Sequence, residues 1–206
     1  MKITQIAGFL GCGKTTLMLK LARLVADDGK RKVALVVNEI GEIPVDAEVL
    51  EEGGMRVKPI GGGCVCCEMA GPFGQALAEM RKRFGPDHVL VEPTGVAIPH
   101  QVKIAAKMGM RQGKIAMGAV IVLFDATRPA ELLDMDKMGL LVKNQVKDAD
   151  ILVISKIDLV DAEVLKDVQE RVRTLNEQAE IVNLSSFTGE GVERIVDVVL
   201  TWEADK

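Results

Sequence analysis

The chain has 206 residues, with 48% apolar side chains, 26 basic against 30 acidic groups and a formal charge of −4. This composition suits one α/β domain and argues against a general nucleic-acid binder or a polybasic membrane surface. No apolar run approaches the roughly 20 residues of a membrane span, and Met1-Lys2-Ile3-Thr4 runs straight into a strand pattern. We therefore expect a cytoplasmic protein with no membrane or nucleic-acid partner. Aromatics make up only 3% and Tyr is absent, so the core should be aliphatic and filled by methionine.

Short β-branched runs predict six buried strands: Ile3 to Ala7, Val33 to Val37, Val89 to Val91, Ala119 to Phe124, Ile151 to Ile154 and Ile181 to Leu184. Amphipathic helical spacing falls between them. Leu17, Leu21, Leu24 and Val25 share one face. Phe73, Ala76, Leu77, Met80 and Phe84 share another, with Pro72 at the first helical position. A third helix carries Val164, Leu165, Val168, Val172 and Leu175, with Asp161 as its N-cap. The last carries Val192, Ile195, Val196, Val199 and Leu200. Strand-helix alternation of this kind implies a mostly parallel sheet with helices on both faces. Glu39 to Gly71 lacks clear periodicity, and a loop that long in a compact domain is usually functional.

GFLGCGKTT follows the first strand and opens the first helix. Gly8, Gly13, Lys14 and Thr15 fit G-x-x-x-x-G-K-[ST], so the fold expected is a P-loop NTPase with residues 1–206 as a single domain. Residues Gly8 to Thr16, with Gly11 and Cys12 among them, should wrap phosphate with main-chain N–H groups at a helix N-terminus. Lys14 should reach the β- and γ-phosphates and Thr15 should ligate Mg²⁺. Cys12 reads as filler at a tolerant position of that loop.

Two further elements select the base. Ser155-Lys156-Ile157-Asp158 has the spacing of the guanine-reading N-K-x-D, with Ser155 in place of Asn. The Asp158 carboxylate can accept from guanine N1–H and N2–H₂, donors that adenine lacks, while the Lys156 stem packs along the base. SSFTGEG from Ser185 is similar to the S-A-x-x-G loop that meets guanine O6, with Ser186 where Ala is usual. GTP and GDP are favoured over adenine nucleotides. A small-molecule kinase is the third reading, against which these guanine elements count.

VLVEPTG places Glu92 where a Walker B carboxylate holds Mg²⁺, and Gly95 where the chain approaches the γ-phosphate. NEIGEIPVD supplies Asn38, Glu39, Glu42 and Asp46 at a switch-loop position. Glu39 is a candidate metal ligand and Asp46 the candidate for orienting the attacking water. IGGGCVCCEM packs Cys64, Cys66 and Cys67 into four positions behind three glycines. In a reducing compartment such a cluster reads as metal ligands or redox groups before structural disulfides. Three thiolates fill three tetrahedral positions on Zn²⁺ and leave one open, which suits a metal that must leave again; Co²⁺ and Ni²⁺ remain possible. His88 reads as a surface residue. His100 also reads as surface polar, with a fourth-ligand role as the alternative. Met108, Met110, Met117, Met135 and Met138 read as core or interface filler.

Taken in order, GFLGCGKTT, NEIGE, GGGCVCC, EPTG and SKID resemble the CobW-type GTPases, relatives of the nickel-insertion GTPases of hydrogenase and urease maturation. The resemblance covers essentially the whole chain. It implies GTP-dependent delivery of a transition metal to a client metalloenzyme or cofactor-assembly protein, with Cys64, Cys66 and Cys67 as ligands and hydrolysis slow without a partner. It also implies a nucleotide-gated homodimer. The chain ends just after its final helix, so the second domain of larger CobW-type members is expected to be absent. EPTG, where E-S-T-G is more frequent, is a departure from the family pattern. The runner-up function is a GTP-gated chaperone or switch for a cobalamin or other metalloenzyme, with the cysteines sensing metal or supporting a dimer.

Overall fold

The computed structural model describes residues 1–27, 31–37, 55–59, 70–109, 115–134 and 136–203. In chain order these form β1 (Lys2–Gly8), α1 (Lys14–Asp27), β2 (Val33–Val37), β3 (Met55–Pro59), α2 (Ala70–Arg83), β4 (His88–Glu92) and α3 (Pro99–Gly109). There follow β5 (Ala116–Asp125), α4 (Pro129–Asp134), α5 (Asp136–Lys147), β6 (Ile151–Ser155), a 3₁₀ turn (Ile157–Leu159), α6 (Ala162–Leu175), β7 (Glu180–Leu184) and α7 (Val192–Thr201). The strands make one sheet in the order β3-β2-β4-β1-β5-β6-β7. Every pairing is parallel. The expected α/β P-loop architecture is thus observed.

Burial explains the strand composition. All five residues of each of β2, β4 and β6 are buried, because helices cover both faces, so these strands show no polar alternation. One face packs Leu17, Met18, Leu21 and Val25 of α1 and Val192, Ile195 and Val199 of α7 over Ile6, Ile121 and Val153. The other splits into two halves. Phe73, Leu77 and Met80 of α2 join Val102, Ala105 and Ala106 of α3 over Val89 and Val91. Val142 and Val146 of α5 join Val168 and Val172 of α6 over Val122, Leu152 and Ile154. Each such fully buried Leu, Val or Phe contributes about 1.5–3 kcal/mol by leaving water. The core is aliphatic with Met18, Met80 and Met117 within it, as expected from the composition.

Four sequence expectations need correction. The sheet has a seventh strand: β3 lies inside the stretch read as aperiodic, pairing Val33 to Val37 with Met55 to Pro59. Its five residues form an edge strand ending in Pro59, a residue that edges tolerate and central strands do not. Helices α3, α4 and α5 also carried no clear signal. The inward face of α5 runs Gly139, Val142, Gln145 and Val146, and the buried Gln145 interrupts its apolar stripe. Helix α2 begins at Ala70, so Pro72 falls within its first turn rather than at its first position, where the missing N–H still costs nothing. Asp161 does cap α6, accepting from Val164 N at 2.9 Å. His88, read as a surface residue, is instead buried on β4 between Lys2 of β1 and Val33 of β2.

The burial of His88 has a pH consequence. Desolvation, reinforced by the Lys2 and Arg31 charges, lowers its pKa from 6.5 to about 4. The neutral ring accepts from Arg31 Nη1 at 3.4 Å. The unfolded chain takes up this proton near pH 6.5 and the folded chain only near pH 4. The stabilisation is therefore complete above pH 6.5 and lost as the pH falls toward 4. His88→Gln should remove about 1–2 kcal/mol of this acid sensitivity, measured as a shallower fall in melting stability between pH 6.5 and 4.5.

Candidate functional site

The site lies at the carboxyl edge of the sheet, where β1, β4, β5 and β6 end. The loop between β1 and α1 turns tightly because three glycines take left-handed or mirror-region backbones: Gly8 (φ 133°), Gly11 (φ 77°) and Gly13 (φ 97°). At Gly8 the constraint is also one of space. A Cβ there would run into the carbonyl oxygen of Leu123 on β5 and sit 2.9 Å from Cys12 Sγ. Cys12 is fully buried among Ile6, Leu17 and Leu123, and burial raises its thiol to about 11. That agrees with its reading as filler. A thiol held protonated neither ligates metal nor attacks. Lys14 is buried, with Nζ 3.2 Å from Phe9 O across the loop. Thr16 is exposed at the helix start.

Thr15 and Glu92 meet. Thr15 Oγ1 donates to Glu92 Oε1 at 2.8 Å, and Glu92 is only 2% exposed. This pairing joins a hydroxyl and a carboxylate at the phosphate loop, and hard oxygen donors of this kind fit Mg²⁺. Beyond Glu92 the chain passes against the phosphate loop itself. A Cβ on Gly95 would stand 2.9 Å from Leu10 N. Gln145 of α5 fixes this passage by donating Nε2 to Gly95 O at 3.0 Å and to Ala97 O at 2.9 Å. The sequence reading missed Gln145. Its signal was a polar residue inside an otherwise apolar helix face.

The elements expected to read the base sit beside the loop. Ser155 ends β6, fully enclosed, and its hydroxyl donates to Cys12 O at 2.9 Å. Serine at this position thus ties the end of β6 to the phosphate loop. Lys156 takes a left-handed backbone (φ 61°, ψ 35°), rare outside glycine and Asn. Asp158 follows in the 3₁₀ turn and is exposed, open to a ligand. In the second loop, Ser185 Oγ accepts from Phe187 N at 3.2 Å and Thr188 N at 3.0 Å, and Lys20 of α1 donates to Ser186 O at 2.6 Å. Phe187 stands 89% exposed at the tip.

A residue that the sequence reading overlooked ties these parts together. Asp125 ends β5 with no exposure. It accepts from Lys156 Nζ at 2.6 Å, from Thr127 Oγ1 at 2.7 Å and Thr127 N at 3.0 Å, and pairs with Arg128 Nη2 at 3.4 Å. Burial pushes its carboxyl up, but the hydrogen bonds from Lys156 and Thr127 outweigh that and hold it below the ordinary range. An Asp directly after an apolar strand was its only mark in the sequence.

Asn38, Glu39, Glu42 and Asp46, and Cys64, Cys66 and Cys67, lie outside the described residues, as do Met110 and Met135. Among the described residues no group of three His, Cys, Asp or Glu gathers to hold a metal. His100 is exposed at the start of α3, its N–H donating to Asp148 Oδ2 at 3.0 Å. None of the described helices is long and apolar enough to cross a membrane.

Parallel sheet, phosphate loop and Thr15–Glu92 pair define a P-loop nucleotide-binding domain. Residues 2–183 match the CobW/HypB/UreG, nucleotide-binding domain family, and the chain belongs to it. It is 31% identical over 195 residues to the zinc chaperone CobW of a Sinorhizobium species, covering 82% of this chain and 54% of that relative. It is 36% identical over 154 residues to the zinc chaperone YeiR of Escherichia coli K12, covering 74% and 45%. The chain spans about half the length of these curated relatives. In fold it resembles the Zn(II)-bound YjiA GTPase of E. coli, with a TM-score of 0.65 at 22% identity, covering all of this chain and 67% of that one.

The close main-chain packing yields a direct test. Gly95→Ala would force a Cβ against the Leu10 main chain, displacing the segment that follows Glu92. Any nucleoside triphosphate hydrolysis should fall at least about tenfold, while the melting temperature drops only modestly. Steady-state kinetics and thermal melts on the same preparation check both halves.

Proposed function

We propose that this chain is a GTP-hydrolysing metal-handling domain, in which a transition metal, Zn²⁺ in the first place, is the cargo and the nucleotide state sets its affinity. In this reading Gly8 to Thr16 cradle the phosphates and Lys14 contacts the β- and γ-groups. Thr15 and Glu92, with Glu39, hold Mg²⁺, which when bound supplies positive charge to the phosphates. Asp46 orients the attacking water. Asp158, Lys156 and the Ser186 loop read guanine, and Cys64, Cys66 and Cys67 take the cargo metal as thiolates. The relatives named as zinc chaperones support the cargo, and the Thr15–Glu92 pair supports Mg-nucleotide chemistry.

One observation carries the coupling. Pro59, Val37 and Glu92 stand side by side on β3, β2 and β4, all at the carboxyl edge. The switch stretch follows Val37, and the cysteine stretch follows Pro59. Two strand spacings separate Pro59 from Glu92, about 10 Å. Cys64 comes five residues after Pro59, a length of chain that spans at most about 17 Å. A segment rooted there has reason to change its ligand geometry when the γ-phosphate leaves. A cytoplasmic homodimer that passes its metal to a client metalloenzyme or assembly protein completes the proposal.

The test is a competitive Zn²⁺ titration of the apo, GDP-bound and non-hydrolysable-GTP-bound forms. We expect affinities that differ between nucleotide states about 5- to 150-fold, lost when Cys64, Cys66 and Cys67 are changed to Ser. Because thiolates must be deprotonated, binding should weaken as the pH falls. Equal affinity in all states would leave a GTPase with a bystander metal site, and favour a switch over a carrier.

Guanine selection is tested separately. Asp158→Ala should cost about 2–4 kcal/mol in GTP binding and leave ATP binding nearly unchanged. Competition between GTP and ATP on the unaltered protein reads the preference itself, and equal affinities would sink the assignment.

A further inference from the structure

The Asp125 carboxylate belongs to neither the phosphate loop nor the guanine-reading turn, yet it is bonded toward both. Its strand neighbour in register is Ser155, the last residue before the turn. The next residue along, Ala126, donates its N–H to Ser155 O at 3.0 Å. Lys156 then bends back through a left-handed backbone and donates to Asp125 Oδ2 at 2.6 Å. On the other side Arg128 pairs with the same Oδ2 at 3.4 Å and donates Nη2 to Leu10 O, in the phosphate loop, at 3.0 Å. A Cβ on Gly11 would lie 3.5 Å from the same Nη2.

These contacts form one continuous path: the guanine turn, Lys156, Asp125, Arg128 and Leu10 of the phosphate loop. We propose that Asp125 is a positioning residue that locks the base-reading turn to the phosphate loop, with Arg128 as its arm on the loop. A left-handed lysine is a strained choice that persists only when its surroundings impose it. Here the imposing group is a fully buried carboxylate, whose charge leaves few alternatives to a cationic partner. Lys156 is held at one end by that charge while Asp158, two residues on, faces solvent. The placement of Asp158 against a base is therefore set by Asp125.

Arg128 acts differently from a side chain that touches substrate. It bonds a carbonyl oxygen of the loop. In a loop that turns its N–H groups inward around phosphate, the carbonyls face outward. The guanidinium therefore buttresses the loop from behind. Removing it should loosen the grip on phosphate, whereas removing Asp125 should loosen the grip on phosphate and blur the reading of the base.

The inference rests on the reading that this chain binds GTP, and the experiment separates the two. Dissociation constants are measured for GTP, ITP, ATP and inorganic tripolyphosphate on the unaltered chain, Asp125→Asn, Arg128→Ala and the double variant, with thermal melts beside them. ITP lacks the guanine 2-amino group and so one donor to Asp158. The unaltered chain should prefer GTP over ITP by about tenfold. Asp125→Asn should weaken GTP about tenfold and bring the GTP-to-ITP ratio close to one. Arg128→Ala should weaken GTP and tripolyphosphate by a common factor of about three to ten. Because both variants act through one carboxylate, the double variant should lose less than the product of the single losses.

A GTP-to-ITP ratio retained in a folded Asp125→Asn protein overturns the inference, and a lowered melting temperature with unchanged ratio has the same force. Should Asp125→Asn fail to fold, Arg128→Ala, at a side chain 36% exposed, carries the test: unchanged affinity for both GTP and tripolyphosphate overturns it. Equal affinity of the unaltered chain for GTP and ATP overturns instead the guanine reading beneath it.

Discussion

At two places the phosphate loop touches its surroundings main chain to main chain, with no room for a side chain between. Gly8 lies against the Leu123 carbonyl of β5, and Gly95 lies against the main chain of Leu10. The loop is thereby seated between the strand that follows it in the sheet and the segment that leaves β4. Everything else in the site takes its position from that seat. Thr15 reaches Glu92 because Gly95 lets the chain after Glu92 come close. Ser155 reaches Cys12 O because the loop sits low over β5 and β6.

Polar groups then hold what steric fit has brought together. Gln145 fastens the segment after Glu92 by two carbonyls. Lys20 fastens the loop after β7 through Ser186 O. Asp125 gathers Lys156, Thr127 and Arg128 around one buried charge. A buried carboxylate is costly unless it is paired and hydrogen-bonded, and here each requirement is met by a residue at the same edge of the sheet. The same rule, applied to His88 at the opposite end of the sheet, keeps an imidazole neutral.

Much of the site was legible in the sequence. The phosphate loop shows as a local pattern because its chemistry is local: successive N–H groups must converge, so glycines and Lys14 recur at fixed spacing. Glu92 was legible because strand ends at this edge carry the site in open parallel sheets. Asp125, Gln145 and Arg128 were not, since each acts through partners 31, 50 and 118 positions away. No spacing rule announces such a pair. Likewise β3 escaped notice because an edge strand needs no long apolar run, and α5 because its inward face carries a glutamine.

By itself the sequence determined the fold class, the phosphate loop, the guanine-reading candidates and the cysteine cluster, since each is written in contiguous residues whose backbone or chemistry is special. Tertiary structure alone decided which of the many charged side chains stand together. It buried His88, which a hydrophilicity argument puts at the surface, because a strand flanked by β1 and β2 has no solvent face. It gave Ser155 the loop tie, because a hydroxyl at the end of β6 lies 2.9 Å from Cys12 O. And it singled out Asp125, because a parallel sheet brings the ends of β1, β5 and β6 to one edge, where charges distant in sequence must neutralise one another out of water.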